Sequence, residues 1–167
     1  MNVFFGILTL TMQVALAQGS AIVTPAETSP ALRITPYIVF DGQCRNALDY
    51  YQEVLGGTVQ MTSVGDSPMR SAFRAEDYNK IVHGRLRSPT ADISCSDWLE
   101  PTIQPESGNI MRLYVTDGDE AATRVIFSSL AQGGEIIVDF DQTPFGIYGV
   151  LIDQFRVRWM FHVANAE

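Results

Sequence analysis

The chain writes one pattern twice, and this duplication limits its possible folds more than any other feature. A strand over residues 34–40 leads into Asp41-Gly42, a helix over roughly 43–55 and Gly56-Gly57. Strands are expected near 58–64, 80–87 and 91–97. The order then repeats: a strand over 109–116, Asp117-Gly118, a helix over roughly 119–132, Gly133-Gly134, and strands near 135–140, 145–152 and 157–163. The Asp-Gly to Gly-Gly spacing differs by one residue between the halves, and Ile81-Val82-His83-Gly84-Arg85-Leu86 parallels Gly146-Ile147-Tyr148-Gly149-Val150-Leu151. Each mark has a local cause. An Asp can accept from the free amides of the helix that follows, and a Gly past a helix end takes the left-handed conformation cheaply. The expected architecture is α+β: a single domain over 34–164 built from tandem βαβββ modules, 34–98 and 108–164. The stretch 99–107, with Pro101 and Pro105, links them.

Periodicity supports both helices. Cys44, Ala47, Leu48, Tyr51 and Leu55 form one apolar stripe. Ala122, Val125, Ile126, Ser129 and Leu130 repeat that spacing in the second. On this basis Cys44 reads as a buried small hydrophobe, and so does Cys95, which alternates with Ile93 on a strand. A Cys44–Cys95 disulfide stays open if the chain is exported.

Export is expected from the N-terminus. No charged residue precedes Glu27, and the apolar stretch over residues 3–17 ends Ala15-Leu16-Ala17 before Gln18. Small residues at −3 and −1 suit a signal peptidase cutting after Ala17. The stretch is about fifteen residues, short of the roughly 20 a membrane-crossing helix needs, so no stable span is expected after processing. Its weak point is an n-region without Lys or Arg. The alternative is a cytoplasmic protein with a mis-assigned start. Residues 18–33, rich in Ser, Thr, Pro and Ala, read as a linker.

Eleven Lys and Arg against nineteen Asp and Glu give a formal charge of −8. An acidic surface repels phosphate backbones and anionic lipid, so nucleic acid is not an expected partner. With two cysteines and two histidines, neither a four-thiolate zinc site nor a histidine-rich metal centre can be built. No Gly-x-Ser-x-Gly elbow, His-Glu-x-x-His or phosphate-cradling Gly-rich loop occurs.

The run from Ile34 through Pro36-Tyr37-Ile38-Val39-Phe40-Asp41-Gly42 to Leu55-Gly56-Gly57 resembles the opening of PhnB-like proteins. These belong to the glyoxalase/bleomycin-resistance, or vicinal oxygen chelate, superfamily. Gly65-Asp66, the strand around His83, Leu130-Ala131-Gln132-Gly133-Gly134 and the closing Asp153-Gln154-Phe155-Arg156-Val157-Arg158-Trp159-Met160 extend the similarity over 34–163. Two departures stand out: Arg156 occupies a turn position where the family usually has Gly, and Phe145-Gly146 stands where Trp-Gly is common. The resemblance implies two modules whose mixed sheet curls into a cup with helices outside, commonly completed in a homodimer. In the family's enzymes four side chains hold a divalent metal in that cup. The matching positions here are Pro36 or Tyr37, Ser94, Asn109 or Ile110, and Phe161. None is His, Asp or Glu, so no metal and no cofactor is expected.

Strand alternation independently sorts the faces. Ile34, Ile38 and Phe40 oppose Thr35, Tyr37 and Val39; Met111, Leu113 and Val115 oppose Ile110, Arg112 and Tyr114; Ile93 and Cys95 oppose Asp92, Ser94 and Ser96. For the closing strand, alternation packs Trp159, Phe161 and Val163 on helices, whereas the resemblance turns them into the cup. The resemblance is followed there, giving ligand-contacting candidates Tyr37, His83, Ser94, Arg112, Tyr114 and Phe161. Each has a plainer reading. Arg112 is an anion clamp or a structural ion pair. Tyr37 and Tyr114 are hydrogen-bond donors to ligand or half-buried packing. His83 is a general base or a hydrogen-bonded wall residue. His162 reads as rim or surface, Asp141 and Asp153 as turn formers, and Arg85 and Arg87 as an anion-friendly face or solvated edge charges. Three functions are therefore weighed: a metal-free small-molecule-binding dimer, an isomerase or lyase with altered ligands, and a structural dimerisation module.

Overall fold

The computed structural model describes residues 32–100, 102, 106 and 108–165. The expected leader over 1–17, most of the 18–33 linker and much of the 99–107 link lie outside them. A compact unit spans Ile34–Glu167. Within it β1 (Tyr37–Phe40), α1 (Cys44–Leu55), β2 (Thr58–Ser63), β3 (Ile81–Arg87) and β4 (Asp92–Asp97) make the first module. The second contains β5 (Leu113–Val115), α2 (Glu120–Leu130), β6 (Glu135–Thr143), β7 (Gly146–Ile152) and β8 (Arg158–Val163). This is the expected tandem βαβββ architecture. Short 3₁₀ turns at Arg70–Ala72 and Ala75–Asp77 occupy the loop between β2 and β3.

The modules are built alike. The sheet orders are β1-β4-β3-β2 and β5-β8-β7-β6. In each, the first strand runs parallel to the last and the other neighbours are antiparallel. Each sheet turns one face to its own helix; on the other, Tyr37, His83 and Tyr114 stay exposed while Ser94, Val150 and Ile152 are buried, so that face is open only in part. The repeated Gly marks where the helix comes closest: a Cβ on Gly84 of β3 would stand 2.6 Å from Leu48 Cδ1, and one on Gly149 of β7 would stand 2.9 Å from Phe127 Cε2. A side chain at either position would have to push the facing helix residue aside, which accounts for the parallel between the two hexapeptides.

Several local expectations are corrected. Ile34 is exposed and outside β1, and β5 begins only at Leu113, because its partner β8 pairs it from Leu113↔Trp159 to Val115↔Phe161. Met111 and Arg112 precede β5 and are exposed. The buried stripe of α2 is Thr123, Phe127 and Leu130, with Ile126 partly buried, not the face holding Ala122 and Val125. Phe127 sets that rotation by stacking near Phe140 and meeting Phe161 edge-on. Thr123 is tolerated there because its hydroxyl donates to the Asp119 carbonyl at 2.7 Å. The helix caps also differ. Asp119, not Asp117, accepts from the Ala122 amide at 2.9 Å. In α1 the Cys44 amide donates to Asp97 at the end of β4 (2.8 Å), so Asp41 has no part in it.

The cysteines are buried as expected, and the pairing left open in the sequence is present: Cys44 and Cys95 form a disulfide that ties the start of α1 to β4. The two modules share one core. Asp153, in the turn between β7 and β8, is 1% exposed and accepts four hydrogen bonds. The amides of Phe155 and Val157 donate to one oxygen at 2.9 and 3.0 Å, which fits the turn-forming role expected of it. The other oxygen takes Trp159 Nε1 at 2.8 Å and the Tyr51 phenol of α1 at 2.6 Å. Phe155 adds ring contacts to Phe40, Tyr50 and Tyr51 of the first module. In the same turn Arg156 adopts φ +67°, a left-handed conformation that glycine takes far more readily than an L-residue with a side chain.

Candidate functional site

The open faces of the two sheets collect the side chains able to meet a ligand. On the first, Tyr37 pairs in register with Ser94, and Ser94 with Arg85. Tyr37 is half exposed, and its hydroxyl lies 3.5 Å from His83 Nδ1 with the two rings nearly parallel. Ser94, flanked by Tyr37 and Arg85, is buried. Arg85 does not offer a free cation. Its guanidinium grips Asp92 through Nε and Nη2 at 2.7 and 2.6 Å, and this pairing raises its already high pKa. The result is a face of hydroxyls, one imidazole and a neutralised ion pair, with the exposed Arg87 at the end of β3 as a further cation.

The second face is more aromatic. Tyr114 pairs in register with Met160, and His162 with Tyr148. The Tyr114 hydroxyl is 3.2 Å from His162 Nδ1, while His162 Nε2 is 2.9 Å from the Phe145 carbonyl. Phe145, at the β6–β7 turn, is 60% exposed and contacts the rings of Tyr148 (5.9 Å) and His162 (6.0 Å). Among the described residues both histidines of the chain therefore hydrogen-bond a tyrosine from the first strand of their own module.

Of the sequence candidates, the structure brings Tyr37, His83 and Ser94 together and puts Tyr114 on the other sheet. Arg112 lies outside the strand that was to aim it. Phe161 faces the helices, fully buried between Phe127 and Trp159, so alternation reads β8 correctly and the resemblance does not. Since side chains alternate along a strand, the open face of β8 belongs to Met160 and His162. His162, expected at the rim, is the functional candidate the sequence reading passed over; alternation with the core residue Phe161 was the signal that could have found it.

No family model matches the chain. Protein PA1353 from Pseudomonas aeruginosa is 30% identical in sequence and superposes with a TM-score of 0.72, over 81% of this chain and 100% of its own. This chain is a PhnB-like member of the glyoxalase/bleomycin-resistance superfamily. Protein YjdN of Escherichia coli is 28% identical over 144 residues, 80% of this chain and 97% of that one. A PhnB protein from Bacillus cereus (22% identity, TM-score 0.62, covering 80% and 100%) and a glyoxalase family protein from the same species (13%, 0.54, 86% and 100%) share the fold.

The superfamily's metal positions can be tested on this PhnB-like chain directly. They carry Pro36 or the Tyr37 phenol, the Ser94 hydroxyl, the exposed Asn109 or Ile110 ahead of β5, and a Phe161 ring turned into the core. Among the described residues no three His, Cys, Asp or Glu stand together as ligands would. Phenol, hydroxyl and ring do not make the oxygen and imidazole donor set of a divalent ion, so the residues present do not fit that group.

Proposed function

We propose that this PhnB-like protein binds a small organic molecule on its open sheet faces as a homodimer, with a second copy closing the cup, and does so without a metal. The observation that carries this reading is the recurrence of an exposed tyrosine–histidine pair on each open face, while the opposite faces are sealed by α1 and α2. Sites for small molecules combine apolar walls with a few placed polar groups, and these faces have that make-up. Edge strand β6 supports association of copies, because Ile136, Ile137 and Val138 are three consecutive exposed apolar residues there. Monomers rarely leave such an edge uncovered. Export, expected from residues 3–17, is supported by the Cys44–Cys95 disulfide, a bond that persists in oxidising compartments. Among the described residues no helix is long and apolar enough to cross a membrane.

The test is native mass spectrometry, with elemental analysis, on protein purified from its own cells. We expect a dimer carrying a co-purifying organic molecule and a chain beginning at Gln18. Stoichiometric zinc, nickel, iron or manganese would overturn the metal-free reading, and a ligand-free monomer would overturn the binding one.

A further inference from the structure

We infer that the open face of the second sheet is a subsite for a planar aromatic molecule that donates a hydrogen bond, which the Tyr114 phenol oxygen accepts. The inference rests on the small-molecule reading above and gives it a location and a chemistry.

The aromatic part follows from the rings. Phe145 projects into solvent from the β6–β7 turn yet is fixed by contacts to Tyr148 and His162, and Tyr114 extends the same surface. Aromatic side chains attract other rings by offset and edge-on contacts. A flat unsaturated ring gains from such a surface; a compact polar molecule does not.

The donor requirement follows from proton accounting. A carbonyl oxygen can only accept, so the contact between His162 Nε2 and the Phe145 carbonyl puts the proton of the neutral imidazole on Nε2. Nδ1 is then a bare acceptor, and the Tyr114 hydroxyl must donate to it. That uses the phenol's single proton. The oxygen keeps its lone pairs, and Tyr114 is half exposed, so the atom facing an incoming ring is an acceptor. The first sheet lacks this arrangement: its Tyr37–His83 contact is longer, at 3.5 Å, and is flanked by the Arg85–Asp92 pair and not by further rings.

The chain has two histidines, one on each open face, and they serve as reporters. Long-range proton–nitrogen spectra of the full-length protein should show His162 as the Nε2–H tautomer; an Nδ1–H tautomer overturns the inference. Titration with naphthol and with its methyl ether, the same rings with and without the donor, should shift His162 and leave His83 in place. Naphthol should bind roughly tenfold more tightly, the value of one neutral hydrogen bond. Tyr114→Phe should erase that preference, and Phe145→Ala should weaken both probes. Equal affinities in the unmodified protein overturn the donor requirement whether or not the variants fold. Shifts at His83 alone overturn this assignment but leave the small-molecule reading standing. Shifts at neither histidine count against both, and a His162 signal that varies with protein concentration but not with naphthol overturns the subsite in favour of a second copy seated there.

Discussion

Arg156 shows how a single residue carries the mark of its fold. The β7–β8 turn is closed by the Arg156 amide donating to the Asp153 carbonyl and the Asp153 amide to the Val157 carbonyl, both at 2.9 Å. Closing it needs φ +67° at position 156, where an L-residue brings its Cβ against its own backbone. The side chain is exposed, so substitution loses no buried packing. Arg156→Gly should therefore stabilise the protein by about 0.5–1 kcal/mol: relief of about 1–2 kcal/mol of strain, less the extra entropy a glycine gives the unfolded chain. Urea denaturation would read this as a higher midpoint with an unchanged slope, and a lower midpoint would show that Arg156 holds its turn by contacts of its own. At this scale much of the site was legible. Alternation placed Tyr37, Ser94 and Tyr114 on open faces because period two is local information. Phe161 was misplaced where similarity to relatives was preferred to that period. Arg112 was misplaced because β5 starts only at Leu113, where its pairing with β8 starts, and that pairing is not local information.

Among elements, α1 depends on a distant strand for its start. It has no side-chain cap of its own. Instead β4 supplies both the Asp97 carboxylate on the Cys44 amide and the Cys95 sulfur on the Cys44 side chain. Asp97 also accepts from the Ile81 amide at 2.7 Å, so one buried carboxylate joins α1, β3 and β4. The disulfide closes a loop of 51 residues. In the chain-entropy model a loop of that size is worth about 4 kcal/mol. Cys44→Ala/Cys95→Ala, or reduction, should lower the stability by about that amount, with α1 exchanging its amides first. A midpoint indifferent to reductant would mean that the two sulfurs are not bonded in the protein. The sequence made the pairing conceivable and no more, since a buried thiol and a half-cystine satisfy the same apolar stripe. The face of α2 was misjudged for a related reason. The spacing 122, 125, 126, 129 and the spacing 123, 126, 127, 130 are equally periodic, and only the Phe140 and Phe161 rings across the gap choose between them.

For the whole molecule, the duplication was legible because each module repeats its own local marks, but the joint between modules was not. At the centre of that joint is the bond from Tyr51 to Asp153, between residues 102 positions apart, and no periodicity reports it. It also makes stability depend on alkaline pH. Burial, then the charge of Asp153, pushes the Tyr51 phenol far above its ordinary range. Tyr50 shifts the same way, through burial and then Asp153 and Glu53. In the unfolded chain both phenols ionise near pH ~10. A folded-state pKa raised above the unfolded value gives stability that is whole below that pH and drains away as the pH climbs past it, at about 1.4 kcal/mol per unit for each group held neutral. Tyr51→Phe should cost about 1.5–3 kcal/mol near neutral pH, the worth of a hydrogen bond to a charged acceptor. Because the variant has no phenol to ionise there, its deficit should shrink as the pH rises above ~10. Urea midpoints of both proteins across that range give the comparison. A gap that stays constant would mean that the Tyr51 phenol ionises as readily folded as unfolded, and that the contact with Asp153 does not hold the two modules together.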